Sequence, residues 1–440
     1  MLVVFFIPQN NGGMEMFKYA SLFSGIGGFE TALNKLGGEC VFASEIDQKT
    51  AKSFEIVHGI KPHGDITKID ATEIPNHDLL VGGFPCQAFS IAGKRKGFED
   101  TRGTLFFEVA RIAAEKKPKV LLLENVKGLV SHDKGRTLEV IIQTLSELGY
   151  AVDFEVLNSK YFGVPQNRER IFIIGILDGK TEPYKVVGNN SVAKAKKRLN
   201  KLGLKTFNFP FPSNNEVATK LIDVLEENVA EKYYIKEEKA KKLLEKLNEK
   251  YQAPANDLKM VGHLEMKGAD CVKRVYDPTG ICPTLTTMGG GHREKIIEPQ
   301  QFSDGYGISY CVDASYGKGI GPGSIGKGRR THVLEVRPVL TPDRLNKRQN
   351  GRRFKEDGEP AFTLTAIDRH GIAIGHFPIY RIRKLTPLEC FRLQGFPDEF
   401  YHKLKGEGIS DSQLYKMAGN AVTVNVIGEL GKVIVNGYLK

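Results

Sequence analysis

The chain is poor in cysteine and has no apolar run of membrane-spanning length. Its six cysteines, at 40, 86, 271, 282, 311 and 390, include no C-x-x-C pair. That spacing argues against a zinc site and fits free thiols in a reducing cytoplasm. The apolar stretch Leu2 to Ile7, LVVFFI, is far too short to cross a bilayer, and no basic residue precedes it, so neither an anchor nor a secretory leader is read there. Acidic residues are the minority charge, 52 against 63 lysines and arginines, for a net +11. The excess favours a polyanionic partner, nucleic acid or an anionic membrane surface, without choosing between them.

What is present is ordinary globular chemistry in an ordered pattern. The 440 residues are 41 % apolar and 26 % charged, enough for a sizeable core and for two or three domains. Residues 1–15 are expected to be a loosely attached extension or a misassigned start. From there to about 180, strand-like runs (KYASLF, VFASEI, LLVGG, VLLLEN, FEVLN, IFIIGI) alternate with helical ones. In TLEVIIQTLSELG, Leu138, Ile141, Ile142, Leu145 and Leu148 recur at helical spacing. Apolar strands alternating with helices predict an α/β, doubly wound, mostly parallel sheet. Beyond Lys180 the chain turns Asn-, Ser- and Lys-rich, and a basic amphipathic helix is expected over 236–251. Residues 254–380 are rich in Gly, Thr and Arg with short strand-like pieces. CPTLTTMGGGHREKII (282–297) weakly echoes PAFTLTAIDRHGIAI (360–374), as two similar hairpins would. Nine basic residues against two acidic between Arg329 and Lys355 suit phosphate and guanine edges. A helix is expected after Thr386-Pro387, and a Gly-Asn turn then a helix over 417–439.

The first strand runs into FSGIGGFE. Gly25 and Gly27 fit a dinucleotide fingerprint, but Glu30 stands where its third glycine belongs. A carboxylate beside a pyrophosphate disfavours NAD or FAD, and a cationic nucleoside such as S-adenosylmethionine fits better. Glu45 ends the second strand, where an acid accepts from ribose hydroxyls, and Asp65 could take an adenine amino group. In a 3-2-1-4-5 order, the strand 79–83 is the fourth and lies beside the first at the switch point. Cys86 follows it, with Pro85 fixing the backbone. Glu124, at the next strand's end, and Arg168 and Arg170, before IFIIGI, enter the same crevice.

These stretches resemble the motif set of the DNA cytosine-5 methyltransferases. FSGIGGFE, PCQAFS, ENV, QNRERIFIIG, LTPLECFRLQGFP and GNAVTVNV occur in that family's order. The resemblance implies a Rossmann-like S-adenosylmethionine-dependent methyltransferase domain plus a smaller, irregular β-rich recognition domain. The expected division is catalytic over 16–184, target recognition over 185–380, and a hinge with a C-terminal helix over 381–440 that completes the first domain. It implies Cys86 as nucleophile, Glu124 as the acid at N3 of the base, and Arg170 with Arg168 at O2. Around the cofactor it places Phe23, Gly25, Gly27, Gly28, Glu45, Ile46, Asp65, Ile66, Leu105, Asn420 and Val422. Contact with DNA is expected from Ser90, Lys94 and Arg95, in a loop over 90–103, and from Arg293, Arg329, Arg330, Arg352 and Arg353. The partner implied is duplex DNA, with no metal and no membrane. The chain is expected as a cytoplasmic monomer, nucleoid-associated on DNA, and by family analogy as the protecting enzyme of a restriction–modification system whose endonuclease is a separate protein. Three rivals stay open here: a tRNA cytosine-5 methyltransferase, against which the long recognition segment counts; a non-catalytic DNA-binding relative; and an NAD-linked oxidoreductase using Cys86.

Overall fold

The computed structural model describes residues 16–84, 105–213, 215–219, 221–234, 260–263, 274–276, 295–296, 335–340, 359–361, 370–376 and 379–440. Cys86, Ser90, Lys94, Arg95, Arg293, Arg329, Arg330, Arg352 and Arg353 lie outside the described residues, as do 1–15, the expected helix over 236–251 and most of the two echoing hairpins.

Six strands form the main sheet: β1 (Phe17–Leu22), β2 (Gly38–Ser44), β3 (Leu79–Gly83), β4 (Val120–Val126), β5 (Tyr150–Asn158) and β6 (Glu169–Leu177), in the order β2-β1-β3-β4-β6-β5. The pairs β1–β2, β1–β3 and β3–β4 are parallel; β6 runs antiparallel between β4 and β5. The strand before 79–83 that a 3-2-1-4-5 order required is absent. Between Ser44 and Leu79 the chain makes α2 (Gln48–His58) and two 3-10 turns but no strand, its one β-bridge to the sheet being Ser44–His63. Asp65 and Asp70 explain why: each side chain accepts the N–H of the threonine two residues on, an arrangement that stabilises turns over strands. Leu79–Gly83 is therefore the third strand, yet it still lies against β1, as expected.

Helices cover both faces, so the strands read as continuous apolar runs. On one face α3 (Leu105–Lys116) and α4 (Arg136–Glu147) bury Phe106, Ile112, Leu138, Ile141, Ile142 and Leu145 against Leu22, Leu80 and Leu121. The pleat sends Tyr19 the other way, where its hydroxyl donates to Asn34 beyond α1 (Gly28–Leu33). There α1 packs with the C-terminal helix, whose Gly431 leaves room for Leu33 and Leu36.

The chain divides into two compact units, and the first continues to Glu226 before resuming at Thr386, apart from a short return over Pro360–Asp368. Residues past 184 stay with it because α5 (Ser191–Leu199) buries Val192, Ala195 and Leu199. Lys196 anchors that helix: its ammonium pairs with Asp153 at 2.8 Å and lies over the rings of Phe154 and Tyr184. After Thr386 come α6 (Pro387–Arg392), α7 (Asp398–Gly406), α8 (Asp411–Asn420) and α9 (Val424–Tyr438). Thr386 and Glu389 form a capping box and Pro387 opens α6, as the sequence predicts. The second unit contains an antiparallel sheet of β10 (Glu335–Leu340), β11 (His370–His376) and β12 (Ile379–Lys384), and a small sheet of β7 (Met260–His263), β8 (Arg274–Tyr276) and β9 (Lys295–Ile296).

Candidate active site

The loop after β1 turns tightly enough to need left-handed backbone at Phe23 (φ 56°), Gly25 (φ 58°) and Gly27 (φ 89°). Glu45 braces it from the end of β2. One carboxylate oxygen accepts Gly25 N–H at 2.9 Å and the other accepts Asp47 N–H at 2.8 Å. Asp47 then caps α2 through Thr50 N–H and pairs with Lys416 of α8 at 2.6 Å. Those contacts hold the Asp47 carboxyl down at about 2, the Lys416 bond first among them.

At the neighbouring strand ends, Asn125 donates its side-chain amide to the Phe84 carbonyl at 2.8 Å. This pins the exit of β3 one residue before Pro85. Gly83 pairs with Glu124 across β3–β4, and a side chain at 83 would come within 3.3 Å of the Glu124 carboxylate. Arg170 meets that carboxylate from β6, Nε to Oε1 at 3.0 Å. Burial pushes the Glu124 pKa above the ordinary carboxyl value, against the opposing pull of Arg170 and then Arg168.

Arg168 is 2 % exposed and reaches the C-terminal segment. Its guanidinium donates to the carbonyls of Ala421 (2.7 Å) and Gly419 (3.3 Å), in the GNAV turn. Burial, then the like charge of Arg170, lowers its pKa to about 9. Gln394 ties the same turn down from the α6 segment, donating to Ala418 O at 2.7 Å and accepting from Thr423 at 3.0 Å.

These elements enclose one cavity of about 490 Å³. Of the residues expected from the sequence, Phe23, Gly25, Glu45, Glu124, Arg168, Arg170 and Asn420 line it. Gly27, Gly28, Ile46, Asp65, Ile66, Leu105 and Val422 do not. Gly28 and Val422 are instead packed on each other, since a side chain at 28 would stand 2.6 Å from Val422. Ile46 is 70 % exposed beside the loop. Ile66 belongs to the core, and Asp65 caps a turn through Thr67. Glu30 also departs from expectation. It is fully buried and outside the cavity lining, so it cannot repel a ligand's pyrophosphate there; burial raises its pKa to about 7. Asp47, Thr50, Phe84, Asn125, Lys416 and Met417 line the cavity without having been singled out. Asn125 sits inside the ENV motif, which was the available signal.

The C-5 cytosine-specific DNA methylase family model matches residues 17–436. The chain is 47 % identical to the orphan methyltransferase M.SPRI of Bacillus phage SPR, over 97 % of this chain and 99 % of that protein. It is 36 % identical to the type II methyltransferase M.HpaII of Haemophilus parainfluenzae, over 98 % and 92 %. Among solved structures it resembles the S. pombe Dnmt2 methyltransferase in fold, with a TM-score of 0.51 at 16 % identity, covering 96 % of this chain and 98 % of that one. Matched from its first strand into its last helix, the chain belongs to the C-5 cytosine-specific DNA methylase family and is a DNA cytosine-5 methyltransferase.

Proposed function

We propose that the cavity holds S-adenosylmethionine at its glycine-loop end and a cytosine, extruded from duplex DNA, at its Glu124–Arg170 end. The family uses this cofactor, and the lining fits it. A side chain built on Gly25 would meet nothing within 4 Å, so the loop backbone is open to a ligand there. The acids at that end, Glu45 and Asp47, suit hydroxyls and a positive sulfur better than a phosphate. Glu45 retains lone pairs beyond the two it gives to the backbone. When bound, the cofactor supplies an electrophilic methyl group.

The observation that carries the reading is the Glu124–Arg170 pair, a buried acid with a raised pKa held against a guanidinium in the cavity. C5 of cytosine is a weak nucleophile. Addition of the Cys86 thiolate to C6 makes the ring enamine-like at C5. Glu124, protonated, holds the proton at N3 as negative charge builds on the ring. Arg170 donates to O2 and orients the base. C5 would take the methyl group, leaving the cofactor as its thioether, and loss of the C5 proton, to water, would then expel the Cys86 sulfur as thiolate and leave the methylated base. Arg168 acts at one remove by holding the turn that carries Asn420.

The base must leave the stack to reach these groups, which costs a few kcal/mol. Ser90, Lys94 and Arg95 are assigned to contact with the DNA, and Arg293, Arg329, Arg330, Arg352 and Arg353 to recognition of the site. The chain acts as a cytoplasmic monomer. Relatives include both orphan and type II methyltransferases, and protection of DNA from a methylation-sensitive endonuclease is the readout in either setting. The direct test is methyl transfer to plasmid DNA and to tRNA, with bisulfite sequencing of the plasmid. Modified cytosines at one short DNA site are expected; transfer to tRNA alone would overturn the reading.

A further inference from the structure

We propose that His58 is a positioning residue for the cofactor, through a hydrogen bond that fixes the peptide at the tip of the glycine loop; this rests on the cofactor reading of the cavity. His58 is the last residue of α2 and does not line the cavity. Its Nε2 lies 3.0 Å from the carbonyl oxygen of Ile26. A carbonyl only accepts, so Nε2 carries the hydrogen. The ring also closes on Gly27, where an added side chain would stand 1.9 Å from Nε2. Glycine at 27 thus serves two ends, the left-handed backbone (φ 89°) and the approach of an imidazole.

The other bonds of the loop show what His58 adds. Gly27 N–H donates to Ser24 O at 3.0 Å, and Gly27 O accepts from Thr31 N–H at 2.9 Å. Gly25 N–H is taken by Glu45. The Ile26 carbonyl is a further polar group at the tip, and His58 is the side chain that holds it. The ring is itself fixed, with Phe54 centred 4.6 Å away and Phe400 of α7 meeting it edge-on at 5.3 Å. Burial lowers its pKa to about 4, so the donor persists unchanged through the neutral range. The cofactor loop is therefore clamped twice, by Glu45 on one flank and by His58 behind its tip. Without the imidazole donor the Ile26 carbonyl lacks its partner, and the peptide is free to rotate into the space the ligand uses.

The test compares His58→Phe, which keeps a ring without a donor, with His58→Gln, which restores a donor at similar reach. His58→Leu stands in if the phenylalanine is not accommodated. Titration calorimetry with S-adenosylmethionine and steady-state kinetics on duplex DNA are run on the full chain. His58→Phe is expected to raise Kd and KM for the cofactor about tenfold, the effect of one lost buried hydrogen bond. kcat at saturating cofactor and KM for DNA are expected within about twofold of wild type, and His58→Gln within about threefold in every parameter. A merely structural role would lower the melting temperature and leave the cofactor KM in place. Wild-type affinity in His58→Phe, or no recovery in His58→Gln, would overturn the proposal. Glu45→Ala is measured alongside. If it too binds like wild type, the cofactor reading of the cavity fails; if it alone weakens binding, only the inference about His58 fails.

Discussion

Arg168 and Ala421 are 253 residues apart in the chain, and the guanidinium of one donates to the carbonyl of the other at 2.7 Å. The same side chain reaches Gly419, so two carbonyls flanking Asn420 hang on one buried cation. This is how the end of the chain is made part of a cavity built by its beginning. Lysine cannot reproduce the fork. Arg168→Lys is expected to raise the cofactor KM several-fold and to lower the melting temperature by roughly 2–8 °C, in line with a loss of one to two buried hydrogen bonds. Cofactor titration and a thermal melt check both.

Glu124 sets the pH dependence. Its pKa is raised by burial, so its proton is lost at higher pH than that of an ordinary carboxyl. The rate should therefore have a falling limb on the alkaline side of the ordinary carboxyl range. Glu124→Gln keeps a neutral donor but cannot exchange a proton. It is expected to lose about 10²–10³-fold in kcat and to lack that limb, as read from a pH–rate profile of each protein.

Cys86→Ser removes the nucleophile and leaves the binding surfaces alone. Methyl transfer to DNA is expected to fall below detection, while affinity for the duplex, measured by gel shift at fixed salt, stays within a fewfold.

Glu30 costs the fold stability as pH rises. Both carboxylate oxygens are buried, and burial raises the pKa to about 7 against an ordinary 4.5, opposed by the nearby Ser21 hydroxyl. A carboxyl raised on folding binds more protons in the native state, so stability falls as pH rises from the unfolded value through the folded one. The full penalty, about 3 kcal/mol, is present above pH 7 and absent below about pH 4.5. Glu30→Gln should thus unfold at higher denaturant than wild type at pH 8, with the difference closing at pH 4.5.

Much of this was legible because it follows from local rules. The apolar periodicity of Leu138, Ile141, Ile142, Leu145 and Leu148 foretold a buried helix face; the first four are fully buried, and Leu148, at the helix's C-cap, is half-buried. Apolar runs such as VLLLEN foretold strands covered on both sides. The segment 59–74 misled, because strand counting from fold analogy supplied a strand where Asp65 and Asp70 make turns. Glu30 misled for a related reason: a fingerprint position fixes the backbone, while the helix sets which way the side chain points, and here it points inward. Arg168 could be assigned to the site but not to its partner, since Ala421 is brought to it only by the packing of the C-terminal helices. His58 and Lys416 gave little sign, because their roles depend on pairings between distant segments.

The central claim is a covalent bond from the Cys86 sulfur to C6 of the target cytosine. It is tested most directly by incubating the enzyme and S-adenosylmethionine with duplex DNA carrying 5-fluorocytosine at the methylated position. The carbon–fluorine bond blocks the final elimination, so the adduct should survive denaturation, and peptide mass spectrometry should place the methylated nucleotide on Cys86. A fully active enzyme that gives no adduct, or one attached at another residue, would contradict it.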